Sequence, residues 1–246
     1  SPIYYAFRWI EKRLYRRAAR ICSTVPFLMD HVRESGADPE KIVWIPNGCN
    51  VENYPDVLNY DGGGESPHTV MYVGAFGVAH DVISIVRAAA LIEKDGLNMQ
   101  FVIVGDGVKK EECTQEARKL HLKNIEFRDS VPKSEVPMLQ KGADIFVACV
   151  TDSQAYQFGL NLNKLYDYFA SGRAVIFSGT APRDPVSDSG AGICVPPERP
   201  DLLAEALSKF AALSSDERAE LGRLAREYAE TNFLIRNVGS CLCTPH

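Results

Sequence analysis

From residue 69 onward the chain alternates short apolar runs with longer stretches of helical periodicity. The runs at 69–73, 100–104, 125–127, 145–148, 174–177 and 193–195 have strand length and are apolar at almost every position. Between them, 81–94, 109–121, 134–141, 164–171 and 183–189 read as helices. A strand that is apolar on both faces must be covered on both, and helical crossovers supply the cover, so the pattern specifies a parallel sheet. The predicted fold class is α/β, a doubly wound, Rossmann-like parallel sheet with helices on both faces. Two further helices are expected at 200–213 and 216–231, the second entered through Ser214 and Glu217, which have the S-x-x-E form of a capping box.

Upstream the pattern is less regular. Residues 4–20 carry Tyr5, Trp9, Ile10 or Leu14, and Ala18 at helical spacing among Arg8, Lys12, Arg13, Arg16, Arg17 and Arg20. Such an amphipathic helix is either a surface helix with a solvated basic face or one that lies on an anionic membrane surface. A short strand at 20–24, a Pro26-started helix at 26–34 closed by Gly36, and a strand at 42–45 ending in Pro46-Asn47-Gly48 follow. Residues 49–67, with the run Gly62-Gly63-Gly64, lack periodicity and read as a linker.

Composition narrows the classes. Of 246 residues, 46% are apolar and 24% charged, as in ordinary globular proteins. A net charge of −5 argues against nucleic acid as a partner. No run approaches the roughly 18 apolar residues of a membrane span, and the first residues lack a signal peptide's apolar core. Seven cysteines, odd in number and without a CxxC pair, suggest neither a zinc site nor a disulfide framework. Cys22, Cys149 and Cys194 fall in strand-like surroundings and are expected to be small buried hydrophobes. A reducing, cytoplasmic setting is expected. No acidic or histidine cluster has metal-ligand spacing, so neither a metal nor a tightly bound cofactor is expected.

Ligands of doubly wound sheets bind beyond the carboxyl ends of the strands, where loops enter helices. Here those loops are Gly74-Ala75-Phe76-Gly77, Gly105-Asp106-Gly107, the long segment 150–162 ending at Asn163-Lys164, and Ser178-Gly179-Thr180. The dinucleotide fingerprint G-x-G-x-x-G would need glycine where Phe76 stands, and no Walker loop occurs, so NAD and Walker-type ATP sites fit poorly. Lys164 carries more information. A cation in the first turn of a helix is mildly unfavourable by the helix dipole and calls for an anion. Asp167, three residues on, can accept two ribose hydroxyls or pair with Lys164 across one turn.

In this order the segments resemble the C-terminal half of a retaining glycosyltransferase of family 4, with the GT-B fold. The pieces are Ile45-Pro46-Asn47-Gly48, Tyr72-Val73-Gly74, Val102-Ile103-Val104-Gly105-Asp106-Gly107, Ile125-Glu126-Phe127 with Val131-Pro132, Gly142-Ala143-Asp144, and Asn163-Lys164-Leu165-Tyr166-Asp167-Tyr168 with Ala170-Ser171-Gly172. The resemblance implies a nucleoside-diphosphate sugar donor, of UDP or GDP, held by this half. It also implies a lipid-linked or polysaccharide acceptor held by an N-terminal domain, and a cytoplasmic membrane face as the place of work. Residues 1–60 would be the end of that acceptor domain and the interdomain linker, 61–214 the donor domain, and 215–246 a helix crossing back with a tail. By position, Gly74, Phe76 and Gly77 would face the diphosphate beside Gly105 and Asp106, and Val131 would touch the base. Asn163, Lys164 and Leu165 would meet the phosphates, with Lys164 catalytic, and Asp167 would hold the ribose. Asp152 and Gln157 are candidates for sugar selectivity.

Two departures stand out. The family's Glu-x7-Glu pattern would place its first glutamate at Gly159, and the basic pair after the first strand is replaced by Ala75 and His80. Chains with an N-K-L-x-[DE]-Y segment look like a subgroup in which Lys164 takes over from that basic pair; no residue is assigned to replace the glutamate. The other readings are a nucleotide-sugar 2-epimerase of the same fold and a non-catalytic nucleotide-binding module.

Overall fold

The structure, a computed structural model, describes residues 2–55, 60–63 and 68–234. Its centre is a six-stranded parallel sheet in the order β5-β4-β3-β6-β7-β8. The strands are β3 (His68–Val73), β4 (Met99–Val104), β5 (Ile125–Arg128), β6 (Ile145–Cys149), β7 (Ala174–Ser178) and β8 (Gly192–Val195). Side chains leave the strands with a period of two. Val70, Tyr72, Phe101, Ile103, Ile145, Val147 and Ile176 enter one core, covered by α3 (Val82–Lys94), α4 (Lys110–Lys119) and α8 (Pro200–Ala211). Met71, Val102, Val104, Phe146, Val175 and Phe177 enter the other, covered by α6 (Asn163–Ala170), α7 (Pro185–Ser189) and α9 (Ser215–Asn232), while the short α5 (Val136–Gln140) leads into β6. The continuous apolar runs of the sequence are these two half-patterns interleaved. The fold class expected from them is the one observed.

The chain builds β3, β4 and β5 outward, then returns across β3 to start β6, so the winding reverses between β3 and β6. That reversal is where a doubly wound sheet leaves a crevice. The ladder there is short. β3 pairs with β4 along its whole length, from His68 opposite Met99 to Val73 opposite Val104. It pairs with β6 only at Val70 and Met71. Beyond Met71 the two strands part toward their carboxyl ends.

The upstream piece comprises α1 (Pro2–Arg17), β1 (Ile21–Ser23), α2 (Met29–Glu34) and β2 (Ile42–Trp44), with β1 and β2 in parallel. Several expectations are corrected in it. The helix expected from Pro26 starts only at Met29, and the Phe27 N–H before it donates to the Phe158 carbonyl of the long loop at 3.0 Å. On α1, Ile3, Phe7, Ile10 and Leu14 form an outward apolar stripe, exposed by 68, 67, 45 and 64%, and Tyr5 and Trp9 of the expected register are exposed as well. Its opposite side is held by a 2.8 Å contact from Glu11 to His31 and by packing of Tyr15 on the small core of Ile21 and Val32. Cys22 is exposed and Cys194 half-buried, its thiol donating to the Asp184 carboxylate at 2.8 Å, whereas Cys149 is buried as expected.

The linker is also more ordered in form than its composition suggests. Asn50 caps a 3-10 turn over Val51–Asn53, and Cys49, Val51 and Tyr54 are buried in the second core. Arg226 of α9 donates to the carbonyls of both Tyr54 and Ala170, which ties the linker to the end of α6. Apolar side chains spaced by one or two residues made this anchoring invisible to a periodicity argument. Gly64 of the glycine run, and the ends of the chain including Cys241 and Cys243, lie outside the described residues.

Candidate functional site

The crevice between β3 and β6 is built by three loops. The turn after β3 comes first. The Gly74 and Phe76 N–H groups donate to the carbonyls of Val104 and Asp106 at 3.0 and 2.8 Å. The sequence placed Gly74 and Phe76 at the phosphates through their amides, but those two amides are already engaged, and the Phe76 ring is fully buried. Among the described residues, the amides left without an intramolecular acceptor in this turn are those of Ala75 and Gly77.

The loop after β4 supports the first. Gly105 has φ +147°, and a Cβ there would lie 1.9 Å from the Gly74 carbonyl oxygen. Only glycine therefore lets the two loops touch. The Asp106 side chain accepts from the Gly107 N–H at 2.7 Å and closes the loop on itself. Gly105 and Asp106 thus hold the turn that faces the crevice. Val131, half-buried, lies beside the second core at the end of the next loop.

The third contribution is α6. It starts at Asn163 without a side-chain cap, and the Leu165 N–H donates to the Leu162 carbonyl at 2.9 Å. Of the three amides expected to meet an anion, that of Leu165 is taken and its side chain is buried. The face carrying Lys164 and Tyr168 turns toward β3. The Tyr168 hydroxyl accepts from the Val73 N–H at 2.8 Å and donates to the Val73 carbonyl at 3.1 Å, while its ring stacks on Phe146 at 4.1 Å.

Lys164 crosses the crevice. Its Nζ donates to the Tyr72 hydroxyl at 2.8 Å and lies 4.3 Å from the centre of the Tyr72 ring. A Cβ on Gly74 would approach its Cε and Nζ to 2.9 Å, so the last atoms of the side chain lie against the turn after β3. Among the described residues it has no carboxylate partner. Burial lowers its pKa from 10.5 to about 8, opposed only by the Cys149 thiol. His80, on the same turn, is held at about 4 by burial and then by the Lys164 charge, and its Nδ1 is buried without a partner. A part-buried ammonium surrounded by neutral groups and free amides is a site in want of an anion.

Asp167 points elsewhere. Lys164 and Asp167 form no pair in the described structure, which removes the simple reading of a one-turn ion pair. Burial raises the Asp167 pKa, while the Lys133 charge and a hydrogen bond from Tyr54 pull it back. Asn163, on that same face, accepts from the Asn47 amide at 2.5 Å. Tyr54 and Asn47 belong to the linker and the turn before it, and nothing in their spacing marked them out. Asp152 and Gln157 are exposed on the long loop. At Gly159, φ is +107° and a Cβ would lie 2.6 Å from the Pro26 ring, so the upstream piece fills the direction in which the family's first glutamate would point.

A sequence profile described as "Glycosyl transferases group 1" matches residues 67–212, and one described as "Glycosyl transferase 4-like domain" matches residues 1–48. A phosphatidyl-myo-inositol mannosyltransferase of Mycobacterium tuberculosis (strain H37Rv) is 27% identical over 179 residues, which are 71% of this chain and 45% of the relative. The chain therefore spans less than half the length of that relative. Among solved structures, sucrose-phosphate synthase from Thermosynechococcus elongatus superposes with a TM-score of 0.76 at 19% identity, over 97% of this chain and 60% of that one. Anabaena HepE, solved in complex with UDP-glucose, gives 0.74 at 15% identity over 98% and 67%. At such identities the structures bear on the fold, and the fold they share is GT-B. The profile that covers 67–212 decides the relationship: the chain belongs to the glycosyl transferases group 1 family.

Proposed function

We propose that this chain is the donor-binding half of a glycosyltransferase that moves a sugar from a nucleoside diphosphate to a lipid-linked or polysaccharide acceptor, with retention at the anomeric carbon. The observation that carries the reading is Lys164, drawn across the crevice to the turn after β3 without a counter-ion among the described residues. A sugar leaves its nucleoside diphosphate with growing negative charge on the phosphate oxygens. A fixed ammonium and backbone N–H groups aimed at that charge lower the barrier. Here the groups would be Nζ of Lys164 and the amides of Ala75, Gly77, Asn163 and Lys164, with Asp167 on the ribose and Val131 at the base. The residues offer no carboxylate at Gly159 for the sugar ring, so Lys164 is the catalytic group of the reading.

UDP and GDP are the nucleotides to try. HepE was solved with UDP-glucose, which supports a uridine nucleotide, whereas the mycobacterial relative is named a mannosyltransferase of a phosphatidyl lipid. The domain assignment is part of the proposal: 1–60 as the end of the acceptor domain and linker, 61–214 as the donor domain, and 215–246 as the returning helix and tail. Peripheral contact with the cytoplasmic face of a membrane would use the outward stripe of α1, flanked by Arg13 and Arg17. Among the described residues no helix is long and apolar enough to cross a membrane.

Calorimetric titration of the chain with UDP and GDP tests the binding half. One of the two is expected to bind and to be displaced by its nucleotide sugar; a chain inert to both sinks the reading. Transfer is tested by supplying the acceptor-binding half with the nucleotide sugar and a lipid acceptor. The product is expected to keep the anomeric configuration of the donor. Release of an epimerised free nucleotide sugar would replace this proposal with the epimerase reading.

A further inference from the structure

Tyr72 belongs to no part of the machinery assigned so far. It is the next-to-last residue of β3, and its ring is fully buried in the first core. Its hydroxyl and one face of its ring meet the Lys164 ammonium in the crevice. That oxygen carries one proton, which it donates to the Ala75 carbonyl at 2.6 Å. Its lone pairs then face outward, and Nζ of Lys164 donates into them at 2.8 Å. The direction matters. With its only proton committed to Ala75, the phenol can accept from Lys164 and cannot donate to it, so the contact favours the charged ammonium over the neutral amine.

The same oxygen therefore fixes two things at once. It pins the Ala75 peptide, which belongs to the turn after β3, and it pins the end of a four-carbon side chain that would otherwise swing among many rotamers. Nζ has three protons, of which Tyr72 takes one, leaving two for an incoming oxygen anion. The other ionisable groups facing Nζ are Cys149 of β6 and His80 of the β3 turn. Burial keeps the first a neutral thiol, with its pKa pushed up to about 12, and the second a neutral imidazole, pulled down to about 4. Among the described residues no carboxylate shares the task. Tyr72 is the sole hydrogen-bond acceptor shown for the ammonium among the described residues.

We infer that Tyr72 is the positioning residue of the diphosphate site: its hydroxyl holds the Lys164 ammonium, charged and aimed, against the turn that cradles the phosphates. This deepens the function proposed above and rests on it, because it assumes that the crevice takes a nucleoside diphosphate.

The test compares Tyr72→Phe with the parent chain, titrated with UDP and GDP and, as phosphate-free controls, with uridine and guanosine, between pH 6.5 and 9.5. The phenylalanine keeps the buried ring and removes only the oxygen. Diphosphate affinity is expected to fall about tenfold, as for the loss of one charge-assisted contact, while nucleoside affinity stays within about twofold. The pH above which diphosphate affinity declines is expected to move down, because the ammonium has lost the group that favours its charge. A merely structural tyrosine would weaken nucleoside and diphosphate alike and leave the pH profile in place. Either that result or unchanged diphosphate binding overturns the inference.

Gly74→Ala is the second variant, should Tyr72→Phe not fold. A methyl there comes within 2.9 Å of Cε and Nζ, a flexible end that can yield, and within 3.3 Å of the Tyr72 hydroxyl, so it crowds the contact between ammonium and phenol while keeping both groups. The same downward move of the pH profile is expected, and an unmoved profile counts against Tyr72. Lys164→Ala separates the levels. If it abolishes diphosphate binding while Tyr72→Phe does nothing, the functional reading stands and the role of Tyr72 falls. If the parent binds neither UDP nor GDP, both fall together.

Discussion

Lys164 and Asp167 sit one turn apart on the same short helix, and both are drawn out of water, yet they are treated in opposite ways. The carboxylate is already answered, by a hydrogen bond from Tyr54 and by the nearby charge of Lys133. Among the described residues the ammonium is answered only by a neutral phenol and its ring face. Burial pushes the lysine down to about 8 and the aspartate up, so each is held closer to neutrality than it would be in water. The difference lies in what remains to be satisfied. On the proposed reading, Asp167 would exchange one hydrogen-bond partner for another when a ribose arrives, whereas Lys164 would gain a counter-ion that none of the described residues supplies. On this view the phosphate end of a nucleotide contributes most of the binding energy and the sugar end most of the orientation.

The largest expected effect follows from removing the unanswered charge. Lys164→Ala should weaken UDP or GDP binding by about 10- to 100-fold, the value of a hydrogen bond to a charged group. Calorimetry that finds affinity within about twofold of the parent would erase the contrast between the two residues. The second effect is one of pH. Above about pH 8 the ammonium loses its proton, and diphosphate affinity should decline.

Stability of the ligand-free chain should move the other way. In the unfolded chain this lysine keeps its proton to 10.5, so between about 8 and 10.5 the unfolded state binds more protons than the folded one. Stability contributed by this group therefore rises with pH through that window, having been diminished below it. Urea melts and UDP titrations at matched pH should show opposite slopes. Parallel slopes would mean that Lys164 is not the group responsible.

Asp167→Asn is expected to act more gently. It should lower affinity for uridine and UDP by about tenfold through loss of the charged acceptor, leave inorganic pyrophosphate binding unchanged, and leave the melting temperature equal or higher, since a carboxylate disfavoured by burial has been removed. A fall in pyrophosphate binding would show that the two residues serve one ligand group after all. Tyr54→Phe should be smallest, costing about 1 kcal/mol of stability and less than about threefold in nucleotide affinity. Denaturant melts alongside the titration check both. A larger loss of affinity than of stability would promote Tyr54 from support to ligand contact.

The sheet and its two cores were legible because each depends on repetition. Six apolar runs at regular intervals leave few arrangements open, and the capping box of Ser214 and Glu217 is a local signal that the structure contains in full. The crevice was half legible. Gly74, Gly105 and Lys164 could be marked from residue type and position. Whether an amide is free or engaged depends on the loop lying next to it, and so Gly74, Phe76 and Leu165 could not be told from Ala75 and Gly77. Tyr72 and Tyr54 were hidden for a different reason. In the sequence Tyr72 is one more apolar position of a strand and Tyr54 one residue of an aperiodic linker, and only the three-dimensional course of the backbone shows that each hydroxyl lies beside a charged group.

The bonds of Tyr168 to both backbone groups of Val73 have a wider consequence. Where β3 and β6 separate, Val73 would ordinarily be left to water or to another strand, and parallel strands tend to zip together. One phenolic oxygen stands in for that missing neighbour. The slot between the strands is thereby set by the length of a side chain anchored in α6 and braced on Phe146, not by the spacing of a ladder. Its aperture becomes a matter for one codon, open to adjustment without redesign of the sheet, and any shift of α6 is felt directly at the rim of the turn that follows β3.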